Sequence, residues 1–472
     1  MIEFINKIEN NAKKHGKKIA YKIDNESITY HDLWENALHY SKNLIKQGNA
    51  PVILYGHKSI NMIISIIACL IARRTYIPID LCTPKSRIKK IISLSKASLL
   101  ISNEEINADY IEKCTLEELD KYKENNDFQI DNDIAYIIFT SGSTGNPKGV
   151  PISYSNLDNF CNWIGNIEPL NTYKEINVLN QASFSFDLSV TDFYYSMCFG
   201  HTLIGLDKCT QESYDGIFNV IKENNINLMV ITPTFIKLCL LNNDFNEKNY
   251  KDLKCIYFCG ELLEVQVVQK IFERFKNIKI INAYGPTEAT SAVSSIVITK
   301  EMVNDELLPV GDINTSATDI EIIDNEIVLK GLSVFNGYLG NIDGGHYRKN
   351  GINCYRTGDI GYVENNLLYC RGRLDSQIKY KGYRIELFDI ENNLKELNGV
   401  LDAVVVAKKN DNGIVKLIKA FVILQIGYDI EQVKKDLAKA IPHYMMPKYL
   451  KELDEFPVNN NGKIDRKKLI EL

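Results

Sequence analysis

Short, nearly continuous apolar runs recur along the first half of the chain. Between them lie longer stretches whose apolar positions return every third or fourth residue. The runs PVILYG (51–56), SLLIS (98–102), AYIIFT (135–140), LMVIT (228–232), KCIYFCG (254–260) and IKIINAYG (278–285) read as buried strands. A strand covered on both faces has no polar alternation to show. The stretches 60–72 and 264–275 read as helices. Strand and helix signals in alternation imply α/β layers on largely parallel sheets. The most apolar stretch, Ile60 to Ile71, is too short to cross a bilayer and contains Asn61, which predicts a buried helix.

From about residue 305 the pattern changes. DIEIIDNEIVLKG (319–331) and GDIGYVENNLLYCRGR (358–373) alternate with turn residues between them, as short antiparallel strands do. After Arg373 a new unit begins: a helix near 387–397, strands DAVVVAKK (402–409) and KAFVILQ (419–425), a helix at 430–440 and a turn-rich tail. The expected boundary falls between Leu374 and Asp375, leaving a core of residues 1–374 and a small α+β domain of residues 375–472. No internal repeat or low-complexity tract interrupts this plan.

At 472 residues the chain is too long for one ordinary core, so at least two domains are expected. A hydrophobic content of 45% and a charged content of 24% are those of a water-soluble globular protein. The formal net charge of -5 offers no electrostatic attraction to nucleic acid or an anionic membrane. The eleven cysteines are scattered without a CxxC pair, and the start MIEFINKIENNAKK has no signal-peptide apolar core. They read as reduced thiols of a cytoplasmic protein.

The candidate chemistry begins at FTSGSTGNPKGV (139–150). Thr140, Ser141, Ser143 and Thr144 offer hydroxyls, and Gly142, Gly145 and Gly149 let backbone N–H groups converge on one concavity. Lys148 adds a fixed positive charge. The sum suits a polyphosphate, although the GxxxxGK[ST] loop is absent.

This stretch resembles the phosphate loop of the adenylate-forming superfamily, which includes acyl-CoA synthetases, luciferases and adenylation domains of peptide synthetases. Four further segments resemble that family's motifs in order: NAYGPTEAT (282–290), YRTGDIG (355–361), GRLDSQIKYKGYRIEL (372–387) and NGKIDRKKL (461–469). The resemblance implies a large N-terminal domain of layered α/β subdomains with a small β-barrel-like subdomain, and a small mobile C-terminal α+β lid. It implies that a carboxylate attacks the α-phosphate of ATP and pyrophosphate leaves. By resemblance, ATP contacts fall on Thr140, Ser141, Gly142, Ser143, Thr144 and Gly145, and on Asn282, Ala283, Tyr284, Gly285, Pro286 and Thr287. They continue on Asp359, for the ribose hydroxyls, and on Cys370, Arg371, Gly372 and Arg373. Glu288 is the implied Mg²⁺ ligand, Lys148 and Lys463 the catalytic cations, and Asp375 the hinge. All the reactive residue types are present, which argues against a pseudoenzyme.

NQASFSFDLSVTDFYY (180–195) bears on the acid activated. In amino-acid-activating relatives its aspartate, here Asp187, binds the α-ammonium, and a buried carboxylate needs such a cation. The wording of this segment, FCGELL (258–263) and YMMPKYL (444–450) is similar to the subgroup that loads D-alanine onto a carrier protein for teichoic acid modification. In it Cys259 crowds the side-chain pocket, and Lys463 also touches the substrate carboxylate. Ser291 departs from the subgroup's usual apolar residue against the substrate, which keeps open another small amino acid of a nonribosomal peptide pathway. The segment around 312–330 is shorter than usual in the subgroup. The chain stops soon after Lys463 without a carrier domain, so a separate carrier protein bearing phosphopantetheine is the expected partner. A monomer is expected.

Overall fold

The computed structural model describes residues 2–106, 111–121, 133–142, 146–410, 413–458 and 464–472. Two large sheets carry the N-terminal unit. The first has eight strands, in the order Ser294–Val297, Lys279–Tyr284, Cys255–Phe258, Leu228–Ile231, Asn177–Asn180, Thr202–Gly205, Ile19–Ile23, Glu26–Thr29. Its inner pairings are parallel and its two outermost antiparallel. The second has six strands, Glu112–Cys114, Leu99–Ile101, Val52–Tyr55, Tyr76–Ile79, Ile134–Thr140 and Lys148–Ser153. It is parallel except for its terminal hairpin. Every apolar run read as a strand is a strand, and 60–72 and 264–275 are the helices Ile60–Ile71 and Val265–Arg274. Nine residues of Ile60–Ile71 are buried, so its lack of a polar face is explained by packing. No helix among the described residues is long and apolar enough to cross a membrane.

One buried cation ties the second sheet together at its base. The Arg74 side chain, 1% exposed, precedes the strand Tyr76–Ile79. Its Nε donates to the Ala50 carbonyl (2.8 Å), before the neighbouring strand Val52–Tyr55. Its Nη2 donates to Ser98 Oγ (3.0 Å), before Leu99–Ile101, and its Nη1 to the Leu44 carbonyl (3.0 Å) of helix Tyr30–Lys46. A planar five-donor fork reaches three separate elements at once, which a lysine cannot do.

The barrel-like unit expected from residue 305 is an antiparallel sheet. Its pairing runs Gly311–Asp312, Leu367–Arg373, Ile352–Glu364, Glu326–Lys330, Asp319–Ile323, with His346–Lys349 on Ile352–Glu364; among the described residues the path does not close. Leu374 and Asp375 follow it directly. Then come the hairpin Gln377–Tyr380/Tyr383–Glu386, the helix Leu387–Lys395 and a sheet of Val400–Lys409, Val415–Leu424 and Tyr449–Glu452. This last unit has its own apolar core, including Ile390, Leu394, Val405, Ala420 and Leu437.

The hairpin is seated on the N-terminal unit. Gly382 has φ +84°, and a Cβ there would meet Thr232 Cγ2 at 2.9 Å, so both backbone angle and close approach require glycine. Its N–H donates to Glu261 Oε1 (2.6 Å). Tyr383 stacks on Tyr444 with ring centroids 3.9 Å apart, and Phe186 meets the Tyr383 ring edge-on at 4.6 Å.

Arg74→Ala is expected to destabilise the N-terminal unit by about 3–5 kcal/mol, because it strands buried carbonyls and removes charged hydrogen bonds. Urea unfolding measures this; a loss below about 1 kcal/mol would show the guanidinium to be dispensable.

Candidate active site

The candidate residues gather where the C-terminal ends of the strands, the antiparallel sheet and the seated hairpin meet. Thr140 lies opposite Lys148, the last pair of the Ile134–Thr140/Lys148–Ser153 hairpin before its connecting segment. A Cβ on Gly142 would fall 2.1 Å from the Asn146 carbonyl oxygen, so only glycine fits at that position. Lys148 Nζ lies 5.3 Å from the centre of the Tyr338 ring, within cation–π range. Ser143, Thr144 and Gly145 lie outside the described residues, as does Lys463.

Tyr338 also donates its hydroxyl to Glu288, the implied metal ligand. Glu288 is fully buried, and its other oxygen is ion-paired with Arg384 of the hairpin. Burial pushes this carboxyl up, but the Arg384 guanidinium and the Tyr338 hydroxyl outweigh it and hold it below its usual range. A buried anion needs a cation, and Arg384 supplies it here; a metal ion would hold the carboxylate in the place that Arg384 takes.

The preceding residue, Thr287, donates its hydroxyl to Asp187 Oδ2 (2.6 Å). Asp187 stands just before the helix Leu188–Phe199 but makes no side-chain cap to it. Burial raises the Asp187 carboxyl; the Thr287 bond and the charges of Arg384 and Lys379 pull it back. Among the described residues it has no ion-pair partner. Beside it a cavity of about 60 Å³ is bounded by Cys259, Ser291, Gly285 and Pro286. Cys259 Sγ approaches the Ser291 carbonyl at 4.0 Å, and burial pushes its thiol up to about 12, so it is a packing group and not a nucleophile. Ser291 Oγ shares a 3.1 Å hydrogen bond with Thr191 Oγ1. Ser291 and Thr290 both have positive φ, 71° and 60°, in a turn that passes over Gly285. A Cβ on Gly285 would meet Ala292 Cα at 2.5 Å.

A larger cavity of about 430 Å³ adjoins, lined in part by Ala283, Tyr284, Asp359 and Lys379. Tyr284 donates its hydroxyl to Asp359 Oδ2 (2.7 Å), and Arg373 Nη1 donates to Asp359 Oδ1 (2.6 Å). The rest of the Arg373 fork grips both oxygens of Asp375, the expected hinge, at 2.8 and 2.7 Å. Cys370, Arg371 and Gly372 line the same cavity, with Arg371 over the Tyr362 ring at 4.3 Å. Asn282 is buried with its amide donating to the Pro309 carbonyl (2.8 Å), where it braces its strand.

The structure thus brings together Thr140, Ser141, Lys148, Asp187, Cys259, Tyr284, Glu288, Ser291, Asp359 and Arg373 around two adjoining cavities. Sequence reasoning did not single out Arg384, Tyr338 or Lys379. Arg384 and Lys379 lay inside the GRLDSQIKYKGYRIEL segment, among other charged residues of a half-buried hairpin, so their charge alone did not single them out. Tyr338 carried no signal.

Gly285→Ala is expected to displace the 290–292 turn and lower stability by about 1–3 kcal/mol, read from the thermal midpoint. An unchanged midpoint would show that the turn yields freely.

Residues 8–339 match the family described as AMP-binding enzyme, and residues 389–463 match the AMP-binding enzyme C-terminal domain. A D-alanine–D-alanyl carrier protein ligase of Bacillus licheniformis is 38% identical, over 100% of this chain and 99% of its own. The ligase of that name from Staphylococcus epidermidis is 36% identical, over 100% and 99%. Among solved structures, the Vibrio cholerae adenylation domain AlmE in complex with glycyl-adenosine-5'-phosphate superposes with a TM-score of 0.84 at 22% identity, covering 100% of this chain and 97% of that one. That likeness is one of fold.

Proposed function

We propose a function from one premise: the chain belongs to the AMP-binding enzyme family, on both its domain matches and its full-length relatives. It is an ATP-dependent, AMP-forming ligase. Acting in the cytoplasm, it activates D-alanine as the aminoacyl adenylate and passes it to the phosphopantetheine thiol of a separate carrier protein, for D-alanylation of teichoic acids. The observation that carries the amino-acid reading is Asp187: a half-buried carboxylate with a hydroxyl partner, set against a pocket of about 60 Å³. An ammonium bearing a methyl-sized side chain satisfies both the charge and the space.

Residues 1–374 form the adenylation core and 375–472 the lid, turning about Asp375. The amino acid ammonium meets Asp187 and its side chain faces Cys259 and Ser291. The ATP ribose hydroxyls are received by Asp359, whose oxygens are held in place by Tyr284 and Arg373. Lys148 and the 140–145 loop hold the β- and γ-phosphates and then pyrophosphate, supplying charge where it accumulates in the transition state. Glu288 would hold Mg²⁺, which neutralises the phosphate oxygens. Lys463, at the end of the C-terminal family match, neutralises the reacting carboxylate and α-phosphate when the lid brings it in.

A second reading rests on the Thr191–Ser291 hydroxyl pair, which offers hydrogen bonds to a more polar small side chain. ATP–pyrophosphate exchange across D- and L-alanine, D- and L-serine and glycine separates the two. Exchange led by D-alanine is the expected outcome; exchange led by a serine gives the second reading, and silence throughout sinks both.

Asp187→Ala is expected to raise the amino acid KM at least about 30-fold, the loss of one charged contact of roughly 2 kcal/mol, with ATP KM little changed. Equal effects on both would remove Asp187 from the ammonium site. Lys463→Ala should cost adenylate formation about 100-fold or more while ATP binding persists. Parallel loss of binding and turnover would place Lys463 in ground-state binding instead.

A further inference from the structure

Asp359 stands in an irregularity of the antiparallel sheet. In the pairing of Glu326–Lys330 with Ile352–Glu364, Val328 lies opposite Arg356 and Glu326 opposite Ile360, so Ile327 alone faces Thr357, Gly358 and Asp359. Extra residues on one strand break the ladder, bend the strand and re-aim its side chains. Here side chains take up the backbone groups that the bulge releases. Glu326, 5% exposed, accepts the Gly358 N–H on Oε1 (2.8 Å). Its Oε2 accepts from Arg356 Nε (2.7 Å) and is ion-paired with the same guanidinium. The Thr357 hydroxyl donates to the Ile327 carbonyl (2.8 Å) and accepts from the Asp359 N–H (3.0 Å). On the far side the Gly358 carbonyl accepts from the Leu374 N–H (2.8 Å).

We propose that Glu326 is a positioning residue for nucleotide recognition: by closing the bulge at Gly358 it aims the Asp359 carboxylate at the ribose hydroxyls. Gly358 has φ +73°, and a Cβ there would meet Arg373 Nη2 at 2.8 Å, so backbone angle and close approach both favour glycine. Glycine is also the residue least able to hold its own backbone angles, so the brace has to come from elsewhere. Glu326 supplies it from the neighbouring strand, and Arg356, by occupying Oε2, leaves Oε1 for Gly358. Aim matters because Asp359 has little capacity to spare. A carboxylate offers about four lone-pair sites. Tyr284 uses one on Oδ2 and Arg373 one on Oδ1, which leaves one on each oxygen for the ribose hydroxyls. A relaxed bulge turns those remaining sites off the cavity wall, while the smaller cavity beside Asp187 and Cys259 keeps its shape.

The inference rests on the reading of Asp359 as the ribose acceptor, and the test separates the two. Calorimetry on the full chain compares Mg·ATP with the Mg²⁺ complex of dideoxy-ATP, which lacks both ribose hydroxyls, for the wild type, Glu326→Ala and Glu326→Gln. The wild type should bind ATP at least about tenfold more tightly than the dideoxy analogue, as hydrogen bonds to a charged group require. Glu326→Ala should compress that preference to below about threefold, by weakening ATP and leaving the analogue nearly unchanged. Glu326→Gln keeps an acceptor for the Gly358 N–H and should hold the preference within about twofold of the wild type. A preference that survives intact in Glu326→Ala overturns the inference. So does equal weakening of both nucleotides, the mark of a merely structural role, or a collapse in Glu326→Gln as deep as in Glu326→Ala. A wild type that shows no preference removes Asp359 from the ribose, and the inference falls with that reading. Should Glu326→Ala not fold, Glu326→Leu, which fills the space without an acceptor, is measured under the same criteria.

Discussion

A carboxylate with no access to water must be given a cation, and Glu288 is that carboxylate. Here the cation is Arg384, which belongs to a hairpin 96 residues further along. Much of the local architecture follows. The hairpin must come close enough for the ion pair, so Gly382 has no room for a side chain against Thr232. Tyr338 must lie alongside to fill the other oxygen, and its ring then lies within reach of Lys148. The antiparallel sheet, the phosphate hairpin and the lid are held in one register by one buried charge.

Around that pair the site is a balance of charges. Asp187, Glu288, Asp359 and Asp375 are set against Arg373, Arg384 and Lys379, with Asp187 and Asp359 on the cavity walls and Glu288 and Asp375 held behind them by Arg384 and Arg373. Only Asp187 lacks an ion-pair partner among the described residues. The imbalance is local, on the wall of the smaller cavity. The arginine fork at Arg373 does a different job: by gripping Asp359 and Asp375 together it ties the strand Ile352–Glu364 to the segment that leads into the hairpin.

The strands and helices were legible because burial on both faces leaves continuous apolar runs. Tyr284, Asp187, Glu288 and Asp359 were legible through motif wording alone; none stands out by periodicity. What the chain does not display is pairing across distance. Arg87 with Asp389, Tyr338 with Glu288 and Phe186 with Tyr383 join residues whose separations carry no local signal. Asn282 shows the converse limit: its motif suggests nucleotide, while its amide is occupied by the Pro309 carbonyl. Sheet order and the role of Arg74 beneath three strands likewise emerge only when the chain is folded.

The contact of Phe186 with the Tyr383–Tyr444 stack has a thermal consequence. Aromatic area leaves water each time the hairpin seats, and apolar burial carries a negative heat-capacity change. This part of the docking free energy weakens on cooling, while the ion pairs beside it do not depend on the structure of water in the same way. The two half-reactions therefore need not slow in parallel in the cold: the one that uses the seated hairpin loses some of its driving force as well as its rate. Since Phe186 immediately precedes Asp187, that thermal sensitivity reaches the wall of the smaller cavity itself.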